Sequence, residues 1–197
     1  IYPKFSIQPI EETSLLTGSL EPTNEAYAIA KINGLKMCEF YNKQYGFNAI
    51  SAMPTNLYGP NDNFNLENAH VLPALIHRFH LAKTNNQKNV TLWGTGSPYR
   101  EFMHVDDMAE AMIMLMNSYD EKTHINVGVG KDISIKDLAY LVKEIVGFNG
   151  EIQFDSTKPD GTPKKLLDIQ KLNNLGFKPR MSLEQGVKET YEWFLSH

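Results

Sequence analysis

Residues Asn24 to Tyr45 carry one long helical pattern, and Gly46 is a good residue to end it. Directly after it, Asn48-Ala49-Ile50-Ser51-Ala52-Met53 is a short, mostly apolar run closed by Pro54, which reads as a buried strand. Ahead of the helix, Ile1-Tyr2-Pro3 reads as the end of a strand entering a loop. Residues 4–23, punctuated by Pro9, Gly18 and Pro22, read as irregular. Strand, crossover helix and strand in that order predict an α/β sheet with parallel strands. Asn24 suits the helix cap and Glu25 suits the positive end of the helix dipole. Ala28, Ile32, Leu35, Met37, Cys38, Phe40 and Tyr41 are more apolar than one helix face requires. That excess predicts burial on two sides, against the chain's own sheet and against another subunit.

The rest of the chain keeps alternating helix and strand. Ala69 to His80 reads as a helix with Pro73 in its first turn, and Thr91 to Gly94 as a short strand ending in a Gly94-Thr95-Gly96 turn. Arg100 to Val105 reads as extended, with Asp106 or Asp107 capping a helix over Met108–Met116. His124 to Gly128 is a further strand. Ser134-Ile135-Lys136-Asp137 is a capping-box variant that opens a helix to about Val146, stopped by Gly147. Glu151 to Phe154 reads as a strand, Lys158 to Lys165 as a basic loop, Asp168 to Gly176 as a helix, and Ser182-Leu183-Glu184-Gln185 as the capping box of the last one.

Length and charge limit the function classes. A chain of 197 residues makes one large domain or two small ones, and a net charge of -4 gives no reason to expect nucleic acid or an anionic membrane as partner. The only cysteine, Cys38, excludes an intrachain disulfide and fits a reducing compartment. No run of apolar residues is long enough to span a bilayer. The first residues show no basic segment followed by an apolar one, so the expectation is a cytoplasmic protein without a signal peptide.

The chemistry concentrates near the start of the long helix. Tyr27 and Lys31 are four residues apart, so they lie on one helix face and point at one site. A free phenol ionises near pH 10, and a neighbouring cation stabilises its phenolate. A Tyr so placed can protonate a substrate oxygen as negative charge develops on it. The structural alternative is a packed Tyr beside a solvated Lys. Pro54-Thr55-Asn56-Leu57-Tyr58-Gly59-Pro60 follows a predicted strand, and loops at the carboxyl ends of parallel strands are where α/β sheets bind ligands. The G-x-G-x-x-G turn of a dinucleotide site, a Walker sequence, a Cys/His metal cluster and G-x-S-x-G are all missing from these residues. Gly94-Thr95-Gly96 runs into Ser97-Pro98, which cannot open the required helix.

Taken together, Ile1-Tyr2-Pro3, Tyr27 to Lys31, Pro54 to Pro60, Arg100-Glu101-Phe102-Met103-His104-Val105-Asp106-Asp107 and Lys158 to Leu167 resemble the extended short-chain dehydrogenase/reductase family. The Asn-Ala-His70 segment and Lys158-Pro159-Asp160-Gly161-Thr162-Pro163 resemble the members that act on GDP-sugars. The resemblance implies a Rossmann-type parallel sheet domain and a smaller α/β substrate-binding domain. Residues 1–60 would belong to the first and 61–197 mainly to the second, with about 97–128 returning to the first. It implies NADP(H) as cofactor, GDP-4-keto-6-deoxy-D-mannose as substrate and a homodimer. The implied reaction epimerises C3 and C5 and then reduces the C4 ketone.

The resemblance also assigns roles. Tyr27 protonates the C4 oxygen, Lys31 holds the nicotinamide ribose and tunes Tyr27, and His70 is the epimerisation acid. Pro54, Thr55, Asn56 and Leu57, with Lys31 and His70, contact the cofactor. Arg78, Trp93, Arg100 and Asp160 bind the GDP-sugar. Guanidinium groups suit a diphosphate, an indole face suits a ring, and a carboxylate accepts hydrogen bonds from hydroxyls or guanine. By the same resemblance the Gly-rich unit, a Ser beside the Tyr and a Cys acting as epimerisation base precede Ile1. The chain then corresponds to the C-terminal two-thirds of such an enzyme and is expected to be inactive alone, with Cys38 no substitute for that base. Two alternatives stay open: a non-catalytic nucleotide-sugar-binding or dimerisation module, and another NAD(P)-dependent nucleotide-sugar epimerase or dehydratase. Dehydratases pair the Tyr with an Asp and a Glu, and no such pair stands in the reacting region.

Overall fold

The computed structural model describes residues 1–197. After an irregular segment, α1 spans Glu25–Tyr45, followed by β1 (Ala52–Pro54), β2 (Asn56–Tyr58), α2 (Val71–Thr84), β3 (Asn89–Trp93), β4 (Tyr99–His104) and α3 (Val105–Ser118). The chain continues with β5 (Ile125–Val127), β6 (Asp132–Ser134), α4 (Ile135–Val146), β7 (Glu151–Asp155), β8 (Lys164–Lys165), α5 (Gln170–Asn174) and α6 (Leu183–Ser196). Strand and helix alternate, and the pairs β1–β5, β2–β4, β3–β7 and β4–β8 are all parallel. Only β4–β6 is antiparallel. The α/β class with parallel pairing is therefore as the sequence predicts.

Two apolar cores hold these elements. One joins Leu72, Ile76 and Phe79 of α2 to Leu138, Val142 and Val146 of α4, with Val90 and Leu92 of β3, Phe102 and Val187. α4 serves it well: Ser134 accepts the Asp137 N–H as the capping box predicts, and Gly147 closes the helix at φ 73°. The other core joins Met103, Ala111, Leu115, Ile125, Val127, Leu172 and Phe177, with Ala52 and Leu57 packed against it. β4 feeds both, because Phe102 and Met103 point to opposite faces of the strand.

Several expectations need correction. Ile1-Tyr2-Pro3 forms no strand; instead the Tyr2 hydroxyl bonds His124 Nε2 (2.8 Å) and donates to Asn126 Oδ1 (2.5 Å). The strand read over 48–53 begins only at Ala52, and Asn48 turns outward to Asp120. The segment after Pro54 is not all loop, since Asn56–Tyr58 pairs with β4. Asn24 makes no side-chain cap. α1 buries only Ala28, Ile32 and Leu35, one face at helical spacing. Ile29, Met37, Phe40 and Tyr41 remain exposed on it, because no other element of the chain covers that face. α3 starts earlier than predicted and is capped by His104, whose Nδ1 accepts the Asp106 N–H. Asp107 is spent elsewhere: its carboxylate accepts the N–H groups of Arg180 and Met181 and fixes the turn into α6. β6 and β8 were too short to carry a period in the sequence.

Glu101 is the most connected residue of the sheet. Its carboxylate is fully buried and accepts the N–H groups of Val129 (2.6 Å), Gly130 (2.7 Å) and Leu167 (3.1 Å). Burial raises its pKa, and those three bonds oppose the rise. Gly128 is required here, since a Cβ would stand 2.4 Å from Glu101 Oε1. Glu101→Gln points an amide NH₂ group at one of these N–H donors. It should cost about 1–3 kcal/mol of stability, seen as a lower urea midpoint; an unchanged midpoint would contradict this.

Candidate active site

α1 enters with the face Ala28–Ile32–Leu35 buried, which turns Tyr27 and Lys31 outward into a cleft of about 1330 Å³. Tyr27 is 57% exposed, and Lys31 Nζ lies 5.5 Å from the centre of its ring. The phenol and ammonium are thus neighbours on one helix face, as their spacing predicts. Pro54, Thr55, Asn56 and Leu57, at the carboxyl end of β1 and the start of β2, line the same cleft. Their geometry is held from below. Thr55 N–H donates to Val127 O (3.0 Å), and the Thr55 hydroxyl and Asn56 amide both donate to Glu101 O (3.1 and 2.8 Å).

His70 lines the cleft as well. It occupies the N-cap position of α2 with extended backbone (φ -66°, ψ 165°). Its side chain caps nothing and is exposed at the cleft. The preceding loop is folded by its own Asx contacts, Asn63 to Asn68 and Asn65 to Glu67. It is also pinned by Phe64, which stacks on Trp193 and whose carbonyl bonds His77 Nδ1 (2.7 Å). Cys38 is half-buried along the same cleft.

The expected substrate-binding residues form a second group. Arg100 on β4 is half-buried, and burial holds its guanidinium below its ordinary range. Beside it in the β4–β8 pair is Lys165, which lines the cleft. Lys165 is exposed overall but lies in a concave wall. Lost hydration, and then the Arg100 charge, hold its ammonium below its ordinary range. Neither cation has a carboxylate partner, whereas neighbouring Lys164 pairs with Asp132 at 3.1 Å. Only the Glu21 carboxylate, itself paired with Lys4 at 3.0 Å, acts on Lys165; the two adjacent cations are a candidate anion site, and sequence reasoning missed Lys165 as part of it. The signal was the Lys164-Lys165 doublet, which looked like solvated loop charge until β8 set it against Arg100.

Trp93, at the end of β3, is 70% exposed. Asp160 reaches across to the next turn, where its carboxylate accepts the Thr95 N–H (2.9 Å) and hydroxyl (2.7 Å). Gly94 makes this approach possible, as a Cβ there would collide with Asp160 Oδ1. Gly161 brings the same turn against Arg100. Arg78 is half-buried on α2, outside the cleft that holds the other group. The structure therefore joins Tyr27, Lys31, Pro54 to Leu57, His70 and Lys165 in one cleft, with Arg100 beside Lys165 in the sheet but outside the cleft lining. Trp93 and Asp160 form a neighbouring turn cluster, and Arg78 stands apart from the cleft.

Comparison with known proteins shows the family and the fold. The model of the NAD dependent epimerase/dehydratase family matches residues 1–128. The whole chain is 61% identical to a probable GDP-L-fucose synthase 1 of Oryza sativa subsp. japonica, of which it covers 60%. It is 53% identical over 206 residues to the GDP-L-fucose synthase of Escherichia coli (strain K12), covering 64% of that protein. The chain thus spans somewhat under two-thirds of the relatives that it matches. Among solved structures, a GDP-6-OMe-4-keto-L-xylo-heptose reductase from C. jejuni superposes with a TM-score of 0.93 at 38% identity over 99% of this chain and 67% of the other. A GDP-L-fucose synthetase from Naegleria fowleri bound to NADP superposes with a TM-score of 0.92 at 34% identity, over 99% of this chain and 63% of the other.

If Arg100 and Lys165 form one anion site, Lys165→Met weakens inorganic pyrophosphate binding by about ten-fold, the size of one lost charge-assisted bond. The wild type also loses affinity as salt rises. Isothermal titration of pyrophosphate checks both, and equal affinity in the variant would refute the site.

Proposed function

The chain belongs to the NAD dependent epimerase/dehydratase family, and from that premise we propose that it carries the reacting and substrate-binding part of an NADPH-dependent enzyme. That enzyme turns GDP-4-keto-6-deoxy-D-mannose into GDP-L-fucose. The observation that carries this reading is the shared cleft: Tyr27, Lys31, Pro54 to Leu57 and His70 meet there, and Lys165 lines the same wall. A cleft of about 1330 Å³ exceeds the roughly 300–1,000 Å³ that suits one small ligand. It has room for a cofactor end and a sugar nucleotide together. The donor set fits a nicotinamide riboside: Lys31 for ribose hydroxyls and the Pro54–Leu57 segment for the carboxamide end. When bound, NADPH supplies the hydride.

The chain's own residues supply the protons and the grip. Arg100 and Lys165 neutralise the diphosphate, Trp93 and Asp160 hold the nucleoside end, and Arg78, on α2 outside the cleft, would meet only a part of the GDP-sugar that reaches beyond it. The C4 ketone acidifies C3 and C5, and the Cys base implied by the resemblance, which is not among residues 1–197, would take either proton and leave an enolate. His70, at the cleft with no structural hydrogen bond to its ring, returns the proton from the opposite face. Tyr27 then gives its phenolic proton to the C4 oxygen as the carbonyl is reduced, with Lys31 balancing the charge left on the phenolate.

We read the core containing Ala52, Leu57, Met103 and Leu115 as the cofactor side. The core of α2, α4 and α6 is then the substrate side. The division falls near residue 60, with about 97–128 returning to the first. The exposed apolar face of α1, with Ile29, Met37, Phe40 and Tyr41, supports a homodimer through this helix. The compartment we infer is the cytoplasm; no helix is long and apolar enough to cross a membrane.

Three variants of the active enzyme test the reading. Tyr27→Phe should lower NADPH oxidation by about 10²–10⁴-fold while GDP-sugar binding by calorimetry stays close to wild type. His70→Gln should slow solvent deuterium entry at C3 and C5 by a comparable factor; normal exchange in that variant would remove His70 from the mechanism. Phe40→Glu should halve the mass seen in analytical ultracentrifugation, and an unchanged mass would place the dimer contact elsewhere.

A further inference from the structure

Trp93 and Lys158 are fixed against each other by the backbone. Trp93 and Asp155 are register partners in the β3–β7 pair. The carbonyl of Asp155 accepts both the Gly94 N–H (3.0 Å) and the Lys158 N–H (3.1 Å). Its carboxylate accepts the Thr157 N–H and hydroxyl (3.0 and 2.6 Å), which shapes the turn that delivers Lys158. Two residues on, Asp160 clamps Thr95 through both carboxylate oxygens. The turns at 93–96 and 155–160 are thereby buttoned together on both sides of Lys158. The result is an ammonium 5.6 Å from the centre of the Trp93 ring, on an indole that is otherwise 70% exposed.

An exposed indole beside an anion site is a platform for a base. A cation held over one of its faces changes what that platform accepts. A purine that settles against Trp93 meets two charges, the Lys158 ammonium beside the ring and the Asp160 carboxylate at the neighbouring turn, whose oxygens already accept from Thr95. Guanine offers two acceptors along one edge, O6 and N7, while adenine offers N7 beside an N6 amine that is itself a donor. An ammonium, which only donates, favours the first edge and repels the second.

We propose that Lys158, held over Trp93 by the Asp155 and Asp160 turns, is the residue that selects guanine over adenine in the bound nucleotide, by donating to O6 and N7. The inference rests on the reading of the chain as a GDP-sugar site. It assigns base selection to a side chain that this reading does not use.

The test is calorimetric binding of GDP, IDP and ADP to the wild type, Lys158→Met, Lys158→Arg and Trp93→Ala. IDP keeps O6 and N7 but lacks the 2-amino group. The wild type should bind GDP and IDP similarly and ADP more weakly. Lys158→Met should lower the IDP-to-ADP preference by about ten-fold, the worth of one hydrogen bond to a charged group. Lys158→Arg should keep that preference, since a guanidinium serves the same two acceptors. An unchanged preference in Lys158→Met, with Trp93→Ala weakened for all three ligands, overturns the role of Lys158 alone. IDP as weak as ADP in the wild type also overturns it, since the base would then be read through its 2-amino group. Unchanged GDP binding in Trp93→Ala overturns both this inference and the placement of the nucleotide at Trp93.

Discussion

The buried carboxylate of Glu101 is the constraint on which the rest of the structure depends. It gathers the backbone N–H groups after β5 and after β8, while its own carbonyl takes the side chains of Thr55 and Asn56. One residue thus ties the 54–57 wall of the cleft to the strand that sets Lys165 beside Arg100. A buried carboxylate is costly unless it is hydrogen-bonded, and here three backbone amides donate to it. The same residue sits between the two cores, where Phe102 and Met103 separate to opposite sides. Charge satisfaction and apolar packing therefore fix the cleft jointly.

The cleft divides chemical labour by position. The groups proposed to exchange protons, Tyr27 and His70, are exposed at its surface and free of structural duties. Groups that orient them are tied down: the 54–57 wall by Glu101 and Val127, and the loop before His70 by Phe64 against Trp193. Preorganisation of this sort puts the cost of ordering the site into folding and removes it from ligand binding. Lys165 and Arg100 follow another rule. They stand together against their mutual repulsion, which the proposed diphosphate would relieve.

Much of this was legible before any coordinates. Gly46, Gly147 and the two Ser-led capping boxes announce helix ends because their chemistry is local. Tyr27 and Lys31 share a face because helical spacing alone decides it. What could not be read were features made by distant pairing. β6 and β8 exist only as partners of β4, and without β8 the doublet Lys164-Lys165 has no neighbour. Asp107 looked like a helix cap, yet it serves the turn into α6, more than seventy residues away in sequence. The apolar excess of α1 was legible as two faces: Ala28, Ile32 and Leu35 are buried within the chain, and Met37, Phe40 and Tyr41 face outward, on the side expected to meet another subunit.

The central claim is that one cleft both epimerises and reduces. The most direct measurement is the mass and deuterium pattern of the product formed by the active enzyme from GDP-4-keto-6-deoxy-D-mannose and NADPH in D₂O. The account predicts carbon-bound deuterium at both C3 and C5 and none at C4, whose new hydrogen comes from the cofactor. A product reduced at C4 with no deuterium at C3 or C5 would contradict it and leave a C4 reductase, with His70 outside the chemistry.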